Sequence, residues 1–149
     1  MIENSSIPID SSIRTAWFRL SRMYNQKSAE HGMTMSIGFI LMNIDKEGTP
    51  STQLGPRMGM EPTSLSRTLK TMENRNLIRR QSEGIDKRKV LIFLTEEGVD
   101  KRREVRNFLL DFNRKVFEKI PPSKVKAFFD VIQKIEEAID KELKESKLK

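Results

Sequence analysis

The stretch "PTSLSRTLKTMENRNLIRRQSEGIDKRKVLIFLTEEG", residues 62–98, changes its periodicity twice. It begins with apolar residues at Leu65, Leu69 and Met72, the i, i+4, i+7 spacing of one helix face. At about 100° per residue, Thr63, Arg67, Lys70 and Asn74 fall on the opposite face, which is polar and basic. Pro62 suits the first helical position, where its missing N–H has no intrahelical partner. Asn76 can end the helix because it adopts left-handed backbone more easily than most residues. "LIRRQ" and "KVLIFLT" then read as two strands, and "SEGIDKR" between them holds the turn glycine, so a small β-hairpin follows the helix. Such a hairpin is marginal alone and has to lean on the preceding helices. Thr95, with Glu96 and Glu97 after it, supplies a cap and an acidic first turn for the next helix.

Upstream, "STQLGPRMGM" reads as a short helix capped by Ser51, with Leu54 and Met58 inward and a turn at Gly59-Met60-Glu61. Before it, Thr34 or Ser36 starts a helix carrying Ile37, Ile40, Leu41 and Ile44, which Gly48 closes. Residues 1–9 form an arm. Asp10, Ser11 or Ser12 then caps a helix whose Ile13, Ala16, Trp17, Leu20, Met23 and Tyr24 share one face to about Glu30, with Gly32 as its stop. Downstream, Val105, Phe108, Leu109, Phe112, Val116 and Ile120 mark a long helix that "IPPS" breaks. Ser123 caps a last helix with Val125, Phe128, Phe129, Ile132, Ile135 and Ile139, which fades into "DKELKESKLK". The expected fold is mainly α with a small β-hairpin: a winged helix-turn-helix bracketed by N- and C-terminal amphipathic helices.

A chain of 149 residues is one domain's worth and can bury a real core. Lys and Arg number 28 against 21 Asp and Glu, and the net charge of +7 favours polyanionic partners. Without cysteine there is no disulfide, no thiolate chemistry, no cysteine-ligated zinc and no cysteine-based redox sensing. The single histidine, His31, argues against a metal site, and no cofactor is expected. An enzyme is not expected either. There is no Gly-rich phosphate loop, one histidine leaves no nucleophile-base set, and the carboxylates sit among lysines and arginines. "MIENSSIPIDSSIRTAW" has neither a basic start nor a long apolar stretch, and "IGFILM" is far short of the ~20 residues that span a bilayer. A soluble, cytoplasmic protein with no membrane partner is therefore expected.

From about residue 10 to 143 the chain resembles the MarR (multiple antibiotic resistance regulator) family of transcriptional regulators. "DKRKVLIFLTEEG" resembles that family's wing pattern of Asp, one residue, Arg, a short apolar strand, then Leu-Thr and a Gly. "TSLSRTLKTMENRNLIRR" resembles its recognition helix and the exit into the wing. Two places depart from the pattern. Gly55-Pro56 stands where the family usually shows a helix former such as alanine, and Asn76 where it usually carries glycine. The resemblance implies one domain over residues 1–149, with helices 10–33 and 105–145 for dimerisation and 34–104 as the DNA-binding lobe. It further implies a homodimeric repressor that binds double-stranded DNA at a pseudo-palindromic operator through helix 62–75 and wing 79–94. A small aromatic or anionic effector, held between the bundle and the lobe, is implied as well.

Chemistry assigns roles within that frame. Arg67 is the side chain best suited to a bidentate pair with guanine. Thr63, Ser64 and Ser66 can meet bases or phosphates near the helix start, and Lys70 suits a phosphate. The simpler reading is an ordinary solvated face. By resemblance, Arg88 enters a narrow minor groove and Asp86 orients the loop through an ion pair, while Lys87, Lys89, Arg79 and Arg80 supply phosphate contacts. The alternative is that these charges blunt an exposed strand edge. Phe108, Phe112, Phe128, Phe129, Ile132 and Ile135 are candidates for a dimer layer or for packing within the chain. Trp17, Tyr24 and His31 lie near the junction where the effector is expected, though an apolar helix face that simply contains a tryptophan and a tyrosine is the simpler account. The remaining functional alternative is a winged-helix interaction module with an acidic protein partner.

Overall fold

The computed structural model describes residues 8–82, 84–85 and 89–147. Among them the elements run α1 (Ile9–Glu30), α2 (Met35–Asn43), β1 (Thr49–Pro50), α3 (Ser51–Met58), α4 (Pro62–Asn74), β2 (Ile78–Ser82), β3 (Val90–Leu94), α5 (Glu96–Phe117) and α6 (Pro122–Ser146). The chain divides into two units, Met1–Arg106 and Asn107–Lys149.

The core of the first unit is laid around α2, which is apolar on nearly every side and buries Ile37, Gly38, Ile40 and Leu41. Thr34 starts it: the Thr34 hydroxyl accepts from the Ile37 N–H at 3.3 Å, a cap worth about 1 kcal/mol. Leu54 of α3, the Leu65, Leu69 and Met72 seam of α4, Leu77 and Ile78 at the entry to β2, and Ile92 of β3 close around it.

The hairpin proves to be part of a three-stranded antiparallel sheet in the order β1-β3-β2. Thr49 and Pro50 pair with Ile92 and Leu91, a strand that two residues of sequence could not announce. Hydrogen bonds on the preceding turn set it in place. The buried Thr49 hydroxyl accepts from the Asp45 N–H at 2.8 Å and donates to the Asp45 carboxylate at 3.3 Å. Arg57 donates to the Asn43 carbonyl at 3.1 Å and to Asp45 at 3.0 Å, so α3 holds the same turn from the other side. Pro50 is tolerated because β1 is an edge strand.

Several helix ends differ from the sequence expectation, and proline is the common reason. Pro8, Pro50 and Pro121 occupy the cap positions of α1, α3 and α6, with no side-chain cap at any of them. None of Asp10, Ser11, Ser12, Ser51 or Ser123 is therefore the cap. Asp10 instead lies in the first turn of α1, where its charge meets the positive helix end. Helix α2 stops at Asn43 rather than near Gly48; Ile44 is extended yet fully buried, and its carbonyl accepts from Arg102 at 2.9 Å. Helix α6 continues through the charged tail to Ser146, where i,i+4 neighbours such as Lys141 and Glu145 keep opposite charges on one face.

The exit from α4 is stitched to the start of α5. Asn76 takes the left-handed conformation, φ 57°, and the Leu77 N–H returns to the Met72 carbonyl at 2.9 Å. The Thr95 hydroxyl donates to the Asn76 carbonyl at 2.6 Å and accepts from the Gly98 N–H at 3.0 Å, serving as the cap. A Cβ at Gly98 would lie 1.9 Å from the Leu77 carbonyl oxygen, so only glycine permits this approach.

In the second unit, the end of α5 and all of α6 carry apolar stripes that stay in the open. Helix α6 buries no residue, and Leu110, Phe117, Phe128, Phe129, Val131, Ile139 and Leu143 are exposed. Helix α1 in the first unit behaves likewise, with Ile9, Ile13, Trp17 and Phe18 exposed.

Candidate nucleic-acid interface

Helix α4 is anchored from below and open above. With Leu65, Leu69 and Met72 in the core, Thr63, Ser64, Ser66, Arg67 and Lys70 are all left exposed. Thr68 and Thr71 return their hydroxyls to the Ser64 and Arg67 carbonyls at 2.9 and 3.1 Å, which satisfies them along the helix. Arg67 and Lys70 form no ion pair among the described residues. The turn before α4 is tight: Gly59 caps α3 in the left-handed region and the Met60 N–H bonds the Gly55 carbonyl at 3.0 Å. A groove of about 650 Å³ runs between α3 and the start of α4, with Pro56, Met60, Leu65 and Arg80 among its walls.

The wing arginines are exposed but held. Arg79 lies cross-strand from Phe93, with its guanidinium 4.3 Å from the ring centroid and a 2.9 Å bond to Gln81. Arg80 points to the α4 side and donates to Glu73 at 3.1 Å. Exposed pairs of this kind are worth about 0–1 kcal/mol, so another anion can replace Glu73 at little cost. Lys89 stands exposed before β3, whereas Asp86, Lys87 and Arg88 lie outside the described residues. Sequence reasoning missed Glu73 and Phe93. Glu73 sits on the flank of the α4 wheel, and Phe93 becomes a neighbour of Arg79 only through the strand register.

Of the three residues expected near an effector, two converge. Trp17 stacks on Phe39 of α2 with ring centroids 6.3 Å apart, and Tyr24 meets the same ring edge-on at 6.1 Å. Burial pushes the Tyr24 phenol above its ordinary pKa. His31 lies apart from them, with Nδ1 3.2 Å from the Glu104 carboxylate, which Lys101 also approaches at 3.1 Å. Among the described residues no group of His, Asp and Glu could hold a metal ion, and no helix is long and apolar enough to cross a membrane.

Comparison with known proteins agrees with this geometry. The MarR family model matches residues 33–90. The HTH-type transcriptional regulator SarZ of Staphylococcus epidermidis is 33% identical over 97 residues, which cover 64% of this chain and 63% of SarZ. The match thus spans a little under two thirds of that relative's length. Among solved structures, AbsC, a MarR family transcriptional regulator from Streptomyces coelicolor, aligns at TM-score 0.74 with 25% identity, over 88% of this chain and 93% of AbsC. MepR of S. aureus, solved in a complex with DNA, aligns at TM-score 0.81 with 14% identity, over 90% of this chain and 99% of MepR. Wild-type MarR from E. coli in its apo form aligns at TM-score 0.71 with 19% identity, over 89% of this chain and 98% of MarR. With the winged helix built from its own residues, a MarR family model matched over residues 33–90 and a fold shared with solved MarR family regulators, the chain is similar to the MarR family of transcriptional regulators.

Proposed function

We propose that this protein is a sequence-specific, double-stranded DNA-binding transcriptional regulator, a homodimeric repressor that responds to a small aromatic or anionic effector. The observation that carries the reading is the division of α4: an apolar seam locked in the core beneath an exposed face of Thr63, Ser64, Ser66, Arg67 and Lys70. Helix 62–75 reads base edges in the major groove, and the wing, residues 79–94, follows the backbone and enters the minor groove. Arg79, Arg80, Lys87 and Lys89 contact phosphates, and Arg88, oriented by Asp86, is the groove residue. The match to the MarR family model and to a transcriptional regulator argues for regulation rather than catalysis.

Helices 10–33 and 105–145 pair with a second copy, which covers the apolar faces that α1 and α6 leave exposed. A two-fold dimer sets two recognition helices about one DNA turn apart, roughly 34 Å, and so calls for a pseudo-palindromic operator. Trp17, Tyr24 and His31 mark the effector region, and binding there weakens DNA affinity by favouring another spacing of the two reading heads.

Selection of bound duplexes from a randomised DNA pool tests this directly. The expected result is two similar half-sites, inverted and spaced by one turn. A chain that enriches no sequence, while it captures an acidic protein through Arg67 and Lys70, would instead be a winged-helix interaction module.

A further inference from the structure

Ile85 is an anomaly among the exposed apolar side chains. The other large exposed hydrophobics among the described residues lie on α1, α5 or α6, where they form helical stripes. Ile85 alone sits on a turn, between β2 and β3, and it is 102% exposed. Gly84 before it takes φ +60°, and a Cβ built there meets nothing within 4 Å, so no neighbour crowds this position. An isoleucine in this position contributes no packing to the free chain, and turns otherwise favour Gly, Asn, Asp and Ser.

We propose that Ile85 is a specificity-determining contact in the DNA minor groove, where it selects A·T over G·C pairs. The proposal rests on the DNA-binding reading. Strand β2 carries Arg79 and Arg80, and Lys89 stands just before β3, a positive rim that suits the walls of a polyanionic groove. Apolar side chains, isoleucine among them, are known to press into minor grooves and against base steps. The floor of that groove presents only acceptors at A·T, whereas guanine adds its 2-amino donor. A branched hydrocarbon cannot accept from that donor and would strand it without water, which costs free energy. At A·T the same hydrocarbon lies against a smooth floor, and the sugars on either side cover it.

The test uses the full-length protein and a duplex recovered from a randomised pool, with the wing positions located by hydroxyl-radical footprinting. At those positions A·T is replaced by G·C, and separately by inosine·C, which lacks the 2-amino group. The wild-type chain should bind the G·C duplex roughly tenfold more weakly and recover on inosine·C, since one unmet donor is worth about a factor of ten. Ile85→Ser, which can accept from the amino group, should bind A·T more weakly and lose the discrimination, and Ile85→Leu should restore it. Because no charge changes, the salt dependence of Ile85→Ser should match the wild type. Equal discrimination by wild type and Ile85→Ser overturns the proposal and leaves the DNA-binding reading intact. A wild-type chain that recovers no duplex from the pool overturns both.

Discussion

Thr95 and Gly98 show how two residue choices join α4 to the rest of the chain. The Thr95 hydroxyl is shared between the Asn76 carbonyl and the Gly98 N–H, so it caps α5 and closes the exit of α4 together. Thr95→Val keeps the shape but removes both bonds, and should lower stability by about 1–2 kcal/mol in urea denaturation, with Thr95→Ser close to wild type. Gly98→Ala is harsher. A methyl group aimed at the Leu77 carbonyl forces α5 off the sheet, and a loss of about 3 kcal/mol is expected, seen as a fall in Tm. Sequence reading placed a cap at Thr95, but the need for glycine at 98 comes from a carbonyl 21 positions away that only the fold brings near.

Among the elements, α4 gives the sharpest test of function. Arg67→Ala should cost about 1–3 kcal/mol of operator binding and relax preference at one base position. Lys70→Ala should weaken all sequences alike and lower the salt slope by about one. If both variants bind as the wild type does, α4 is not the reading helix. Helices α5 and α6 invite a different measurement, on acidity. Asp111 accepts from Lys115 and Arg114, which hold its carboxyl below the ordinary carboxylate range, and Lys134 does the same for Glu137. A carboxylate with a depressed pKa stabilises the fold above its ordinary range, and that support goes as pH falls through the lowered value. Carbon-detected NMR titration of the two carboxyls should therefore give midpoints below those of unpaired Asp and Glu, and Lys115→Ala should move Asp111 back up.

At the scale of the molecule, the question is what covers the apolar faces. Phe128 and Phe129 are 58% and 57% exposed, and their rings meet edge-on with centroids 5.4 Å apart. In the proposed dimer they are buried between copies. Replacing both with glutamate should leave the helical content of each chain unchanged but weaken the dimer by about 2 kcal/mol or more, read by sedimentation equilibrium. Operator affinity should fall with it, because a monomer engages one half-site. A variant that stays dimeric would place the interface elsewhere.

The sequence by itself determined what depends on neighbours along the chain. Periodicity assigned the amphipathic helices, Pro62 and Gly59 set the turn between α3 and α4, and the Leu-Thr-Glu-Glu-Gly run opened α5, because helix faces and caps are local properties. Charge and inventory narrowed the function to a basic, cysteine-free binding protein. Only the tertiary structure decided the β1 strand, the Arg79–Phe93 and Arg80–Glu73 contacts, and the meeting of Trp17 and Tyr24 on Phe39. Each depends on which distant segments the core draws together, and a two-residue strand or a cross-strand pair has no period of its own to be read.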